Sequence, residues 1–206
     1  MGIDLTGIHN QNEYYTNHYF ATVFEDNEKD VLSKWRQQSK ETEERTPWSL
    51  LRDVARRYGV AHERYLRSNF DMTTLSDIRD LADRYLDALG YPQAQPENIA
   101  IDDEITVPVY HEMKKENGAP LLWVLLGASP EKDCDVLERN TFDGAAIDGI
   151  ETQTLPAGFL SEMNNEDLAT KIFFGTDEPP RFIIFIGMNQ IALLDRNKWN
   201  RKKYLQ

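Results

Sequence analysis

Apolar side chains in the first ninety residues recur every three or four positions, which is the spacing of amphipathic helices. Thr46 and Pro47 form a typical helix start, because the threonine hydroxyl caps a free N–H of the first turn and proline needs no N–H partner there. Three helical segments are predicted: residues 11–37 with a break at Asp26-Asn27, residues 47–58 ended by Gly59, and residues 74–89. The sequence therefore predicts a helical lobe over residues 1–91.

After a loop at residues 92–97, the apolar period changes to that of β-strands. Asn117-Gly118 is a typical hairpin turn, and the apolar run LLWVLL that follows it reads as a central strand. The predicted elements are an extended segment at residues 104–115, a strand at 121–126, a helix at 162–174 capped by Ser161, and a hairpin at 181–195. This order predicts an α+β fold, with an N-terminal helical lobe followed by a mixed β-sheet built from two hairpins with one further helix. Residues 92–195 would be the β-rich lobe of the same compact domain.

The composition is that of an ordinary globular chain, since 206 residues with 40% hydrophobic content can bury one sizeable core or two small ones. The single cysteine, Cys134, excludes an intrachain disulfide and a cysteine-only metal site, and it fits a reducing compartment. The start of the chain lacks the basic and apolar regions of a secretory signal. No apolar run reaches the length of a membrane span. We therefore expect a cytoplasmic protein without a membrane partner.

The net charge of −12 is distributed unevenly along the chain. Residues 1–90 carry −4, residues 91–195 carry −13 and residues 196–206 carry +5. The acidic middle would repel a phosphate backbone, so any nucleic-acid contact is expected at the basic end or through a missing neighbouring domain. The candidate nucleic-acid-binding residues are Arg196, Lys198, Arg201, Lys202 and Lys203. Trp199 and Tyr204 lie among them, and a solvated segment with these two rings in the core is an equally good interpretation.

Asp103, Glu112 and Lys114 have the residue types of a D…E-x-K metal nuclease site. That chemistry needs two carboxylates on one Mg²⁺ and a lysine beside the attacking water. If the extended segment is one strand, Asp103 and Glu112 are about 30 Å apart, at about 3.3 Å per residue, unless the chain folds back near Pro108. Glu13 is a further candidate, as a first-helix carboxylate near a metal, with a solvent-facing glutamate as the simpler interpretation. The sequence therefore predicts no intact catalytic set and no metal site.

The chain has several distinctive stretches outside these motifs: NQNEYYTNHYF and VFEDN near its start, VPVY…NGAPLLWVLLGA in its middle, and IALLDRNKWNRKKYL at its end. Together they resemble the N-terminal region of large, single-chain bacterial adenine-N6 DNA methyltransferases of type IIG-like restriction–modification and related phage-defence systems. In that family the region looks like a nuclease-type α/β module before a helical connector and the methyltransferase domain. The family's strand after the hairpin often ends in an acidic residue, and this chain has Leu126-Gly127 there. The resemblance therefore implies a degenerate nuclease-like module.

The same resemblance implies partners and cofactors. Residues 196–206 would be a basic connector to a missing downstream methyltransferase domain, and DNA would be reached through the parent protein. No cofactor is implied for this chain, whereas the parent would use S-adenosylmethionine, and Mg²⁺ where cleavage survives. The chain itself lacks methyltransferase motifs, because Asp177-Glu178-Pro179-Pro180 has glutamate where adenine-N6 enzymes place Asp, Asn or Ser, and it reads as a turn.

Three hypotheses follow for the function of the chain. The first is an N-terminal accessory domain, nuclease-like and without its own activity, that assists DNA or partner positioning in a DNA-modifying methyltransferase. The second is an acidic protein-interaction or DNA-mimic protein, which the charge of residues 91–195 motivates. The third is an active Mg-dependent nuclease domain, which requires the fold-back near Pro108.

Overall fold

The computed structural model describes residues 5–42 and 45–206, and its α+β architecture confirms the predicted layout. A helical region comes first, and a mixed sheet with further helices follows it. The helices of this first region are a π-helix at Tyr19–Val23, α1 at Phe24–Thr42, α2 at Pro47–Arg67 and α3 at Met72–Ala88. In the described part of the chain, no helix is both long enough and apolar enough to cross a membrane.

The helix boundaries depend on caps and tertiary packing as well as on the apolar pattern. Thr46 is the N-cap of α2, as predicted, and its side chain accepts a hydrogen bond from a first-turn N–H. The prediction that Gly59 ends α2 is wrong, because glycine removes no backbone hydrogen bond and buried Ala61 and Tyr65 hold the following turns against the core. The predicted break at Asp26-Asn27 is also wrong, since neither residue removes a backbone donor and α1 continues through both.

A mixed eight-stranded sheet lies at the centre of the molecule. Its strands are β1 (Asn10–Gln11), β4 (His111–Lys114), β5 (Pro120–Ala128), β6 (Asn140–Phe142), β7 (Leu160–Asn164), β8 (Phe182–Ile186), β9 (Ile191–Asp195) and β10 (Tyr204–Leu205). The remaining elements are the separate antiparallel pair β2 (Glu97–Ala100) and β3 (Thr106–Val109), and the helices α4 (Asn165–Gly175) and α5 (Arg196–Trp199). The strand order is β1, β10, β9, β8, β5, β6, β7, with β4 also paired to β5. β5 and β8 are parallel, and the other paired strands are antiparallel.

Both predicted hairpins are present, and two neighbouring predictions need correction. The turn at Asn117-Gly118 joins β4 and β5, and its glycine has a φ of +83°, which other residues adopt with strain. The single extended segment predicted at residues 104–115 is interrupted at Tyr110, which is buried in the same core as residues of α2 and α3. β3 pairs with β2 before this point, and β4 pairs with β5 after it. The helix predicted at residues 162–174 begins later, because β7 pairs with β6 up to Asn164, which then caps α4.

Apolar cores lie on both faces of the sheet. On one face, α2 and α3 cover β5, with Leu75 and Leu126 fully buried between them. On the other face, α4 covers β5, β8 and β9, with Trp123 and Ile172 fully buried. The segment at residues 196–206 belongs to this structure, since α5 follows β9 directly and β10 pairs with both β9 and β1. The division into two lobes and a connector stays a prediction.

Candidate functional site

Glu112 and Lys114, the E-x-K pair of the predicted nuclease site, lie on β4 and bind each other. Lys114 Nζ is 2.9 Å from Glu112 Oε2, and the indole N–H of Trp123 donates to Glu112 Oε1 at 3.0 Å. The Glu112 side chain is 12% exposed, so protein donors occupy both of its oxygens. The hydrogen bond to Glu112 raises the pKa of Lys114, which stays protonated and is unsuited to take a proton from water. The pair is arranged as a structural ion pair.

The other two nuclease candidates lie elsewhere in the molecule. Asp103 is exposed in the turn between β2 and β3, and the chain does not fold back at Pro108, which pairs with Asn98. Glu13 is exposed just after β1, and its carboxylate accepts a hydrogen bond from Asn17 Nδ2 at 2.8 Å. Five strand spacings of about 4.8 Å separate β1 from β4 across the sheet. Among the residues that the structure describes, no three potential metal ligands come together, so these candidates do not form a shared site.

The end of β5, where the family resemblance places an acidic residue, is closed by a neutral polar network. A β-carbon added to Gly127 would lie 2.7 Å from Asn165 Nδ2, which is closer than real β-carbons approach. Asn165 is fully buried, and its Nδ2 donates to the Val136 carbonyl at 2.8 Å. Its Oδ1 accepts a hydrogen bond from Thr141 Oγ1 at 2.7 Å. An acidic side chain at Gly127 would therefore displace this network.

Four of the five basic residues at the end of the chain make contacts within the fold. Lys198 Nζ donates to the Tyr14 carbonyl at 2.7 Å and lies 4.0 Å from the centroid of the Tyr14 ring. Lys202 Nζ is 2.8 Å from Glu166 Oε1. The other two contacts are Lys203 Nζ with the Glu13 carbonyl at 3.3 Å and Arg196 with the Pro179 carbonyl at 3.2 Å. Arg201 is exposed. Two of these charges therefore join the end of the chain to the residues just after β1, and two others bind α4 and the segment before β8.

A cleft of about 830 Å³ opens beyond the carboxyl end of β8. Phenol and amide side chains supply much of its lining: Tyr58, Tyr85, Tyr204, Asn189, Gln190 and Gln206. Its carboxylate, Asp135, accepts hydrogen bonds from Gln206 Nε2 at 3.0 Å and from the Leu137 N–H at 2.8 Å. Burial raises the pKa of Tyr85, which stays neutral. Such a lining offers hydrogen bonds and ring faces to a ligand, rather than a nucleophile activated by a base.

Sequence reasoning missed a basic surface on α2. This helix has five arginines, two acidic residues and no lysine. The α2 arginine row consists of Arg52, Arg56, Arg57, Arg64 and Arg67, all of them exposed. The charge summed over residues 1–90 concealed the row, because acidic residues elsewhere in that stretch outweigh it. A charge count for each predicted helix would have revealed it.

Comparisons with protein-family models, with curated proteins and with solved structures find no match to this chain. What can be said of its function therefore comes from its own geometry and from the resemblance of its distinctive stretches. In that geometry the candidate nuclease residues lie far apart, and Asn165 fills the space beside Gly127 at the end of β5. The arginines of α2 form an exposed row.

Proposed function

We propose that this chain is a non-cleaving accessory domain of a larger DNA-modifying enzyme, of the adenine-N6 methyltransferase kind that its distinctive stretches resemble. In this role it helps to hold the parent protein on DNA or against a partner subunit in the cytoplasm. A downstream domain would bind S-adenosylmethionine and transfer the methyl group. The mixed sheet with helices on both faces supports the proposal, since it agrees with the nuclease-type module that the resemblance implies.

The closed strand end at Gly127 is the observation that carries the non-cleaving part of this proposal. A Mg²⁺-dependent nuclease needs carboxylate oxygens at about 2 Å from one metal ion. Asn165 fills the space that an acidic side chain at Gly127 would need. Glu112 is already bonded to Lys114 and to the Trp123 indole, and among the described residues it belongs to no cluster of three potential metal ligands.

The test is a cleavage assay on the purified chain with supercoiled plasmid and Mg²⁺ or Mn²⁺. We expect no nicking, and no difference between the wild type and Glu112→Gln, which keeps the acceptor for Trp123 but removes the charge. Nicking by the wild type that Glu112→Gln abolishes would establish the active-nuclease alternative instead. In the same preparation, we expect weak duplex binding that decreases steeply above about 50 mM salt.

The alternative function, an acidic protein-interaction or DNA-mimic protein, is supported by the exposed carboxylates of residues 91–195. Residues 91–195 carry −13, and several of their acidic side chains face solvent: Glu131, Asp133, Glu138, Asp148 and Glu151. A DNA mimic would displace duplex DNA from a basic DNA-binding protein and would not bind DNA itself. An accessory DNA-binding domain would do the opposite. One competition gel shift, with the chain added to a preformed protein–DNA complex, separates the two functions.

A further inference from the structure

The α2 arginine row forms a basic strip on the exposed side of its helix, interrupted by a gap of six residues after Arg57 and shared with the two acidic residues of α2. At 3.6 residues per turn, the five side chains fall within a sector of about 140°. Buried Val54, Ala61 and Tyr65 lie outside that sector, on the side that packs against the core. With a rise of about 1.5 Å per residue, the row from Arg52 to Arg67 is about 22 Å long. The strip is therefore long and accessible along its whole length.

Acidic residues near the row are already paired, which leaves part of its charge free. A groove of about 500 Å³ between α2 and α3 contains three carboxylates. Each has its own guanidinium: Asp53 with Arg45, Asp77 with Arg64 at 3.0 Å, and Asp80 with Arg84 at 2.9 Å. Glu63 pairs with Arg67 at 3.4 Å. Within residues 5–42 and 45–206, Arg52, Arg56 and Arg57 form no ion pair. Three positive charges on one helix thus remain available to a ligand.

We propose that the α2 arginine row is the surface through which this chain contacts the phosphate backbone of duplex DNA. This inference rests on the proposed function and names the contact surface for it. Arginine suits the task because its planar guanidinium donates two parallel N–H groups to phosphate oxygens and always stays charged. The three free arginines span five residues, or about 7.5 Å of helix axis, which equals about two rises of about 3.4 Å per phosphate along the duplex axis, so three successive phosphates of one strand lie within their reach.

The electrostatics of neighbouring groups agree with this role. The pKa of Asp53 is lowered, first by its hydrogen bond to Arg45 and then by the charges that include Arg56 and Arg52. Arg45 supplies the larger part of this effect and the row supplies a smaller part, so the charges of Arg56 and Arg52 also favour a phosphate placed beside them. Residues 91–195 repel DNA, so the bound duplex would lie along α2 and away from them.

The experiment measures binding of the full chain to a labelled duplex of about 20 base pairs by fluorescence anisotropy, between about 50 and 200 mM salt. Three variants each remove three positive charges. They are the row variant Arg52→Ala/Arg56→Ala/Arg57→Ala, the α1 control Lys34→Ala/Arg36→Ala/Lys40→Ala, and the end variant Arg201→Ala/Lys202→Ala/Lys203→Ala. We expect the row variant to lose at least about tenfold in affinity, and its slope of log K against log salt to fall by about 2 to 3, since each phosphate contact contributes about 0.9. The other two variants should change the affinity less than about threefold.

A conservative variant keeps the test decisive if the alanine row variant does not fold. Arg52→Lys/Arg56→Lys/Arg57→Lys keeps the charge but loses the planar donor pair, so it should retain the salt slope and bind more weakly than the wild type. Equal losses in the row variant and the α1 control would show that binding follows net charge, and would overturn the inference.

Two further outcomes distinguish this inference from the proposed function. A loss confined to the end variant would overturn the α2 contact and leave the DNA-positioning function standing. A wild type that does not bind duplex DNA at about 50 mM salt would overturn both. If in that case the wild type but not the row variant is retained on immobilised poly-glutamate, the ligand of α2 is an acidic protein surface.

Discussion

Replacing Gly127 by alanine should destabilise the protein strongly for the addition of one methyl group. The new β-carbon would lie 2.7 Å from Asn165 Nδ2 and 3.6 Å from the Val136 side chain. Asn165 is fully buried and has no solvent to move into. Its amide must therefore shift within the core, which disturbs its bonds to the Val136 carbonyl and to the Thr141 hydroxyl.

The expected cost can be worked from these contacts. Adding atoms to a filled core costs about 1–3 kcal/mol. A buried polar group that loses its partner costs about 1–3 kcal/mol, and we count one such loss because the shifted amide can keep its other bond. Alanine restricts the unfolded backbone more than glycine does, which offsets about 0.5–1 kcal/mol of this cost. The free energy of unfolding should therefore decrease by about 3 kcal/mol, which lowers Tm by about 6–12 °C in a chain of this size.

The assay is urea unfolding followed by circular dichroism, with Gly59→Ala as the matched control. Nothing lies within 4 Å of a β-carbon added to Gly59 in α2, so this change should stabilise the helix by about 0.5–1 kcal/mol. The double variant Gly127→Ala/Asn165→Ala should be more stable than the sum of its single changes by more than about 1 kcal/mol, because the clash is gone. A Gly127→Ala protein within about 0.5 kcal/mol of the wild type would refute the reasoning.

Three further predictions concern stability measured by urea unfolding. Thr46→Ala removes the acceptor for the Ser49 N–H at the start of α2 and should lower the free energy of unfolding by about 1 kcal/mol. An unchanged free energy of unfolding would show that the cap does not stabilise the helix. Asp195→Asn should lower the free energy of unfolding by about 1.5–3 kcal/mol, because buried Asp195 accepts charge-assisted hydrogen bonds of 2.6 and 2.9 Å from Arg181. Arg181→Lys should cost less, since it keeps the positive charge. Burial lowers the pKa of His111, so the unfolded state binds the proton first and stability decreases as the pH falls below about 6.5. His111→Leu should reduce this loss of stability between pH 5 and 7. A variant whose stability depends on pH as in the wild type would contradict the assignment to His111.

Local chemistry explains which parts of the fold the sequence predicts well. Thr46 caps its own helix and Asn117-Gly118 forms its own turn, so both signals work without knowledge of distant residues. The failures involve long-range contacts. β7 forms because Asn140 pairs with Asn164, twenty-four residues further along, and this pairing overrides a helical pattern. The closed end of β5 depends in the same way on Asn165, and nothing around Gly127 in the sequence reveals that contact.

Charge has a similar dependence on tertiary structure, and the two basic segments of this chain illustrate it. An ion pair needs its atoms within about 4 Å, so a basic residue is free or paired according to what the fold places beside it. Lys198 donates to the carbonyl of Tyr14, which is 184 positions away in the sequence, and Lys202 forms an ion pair with Glu166. On α2, Arg52 and Arg56 are exposed and form no ion pair among the described residues, because the nearby carboxylates pair with other arginines. Unpaired charge, rather than net charge, determines where a phosphate backbone can bind. A chain with a net charge of −12 can therefore present a basic helix, while most charges of its most basic segment make contacts within the fold.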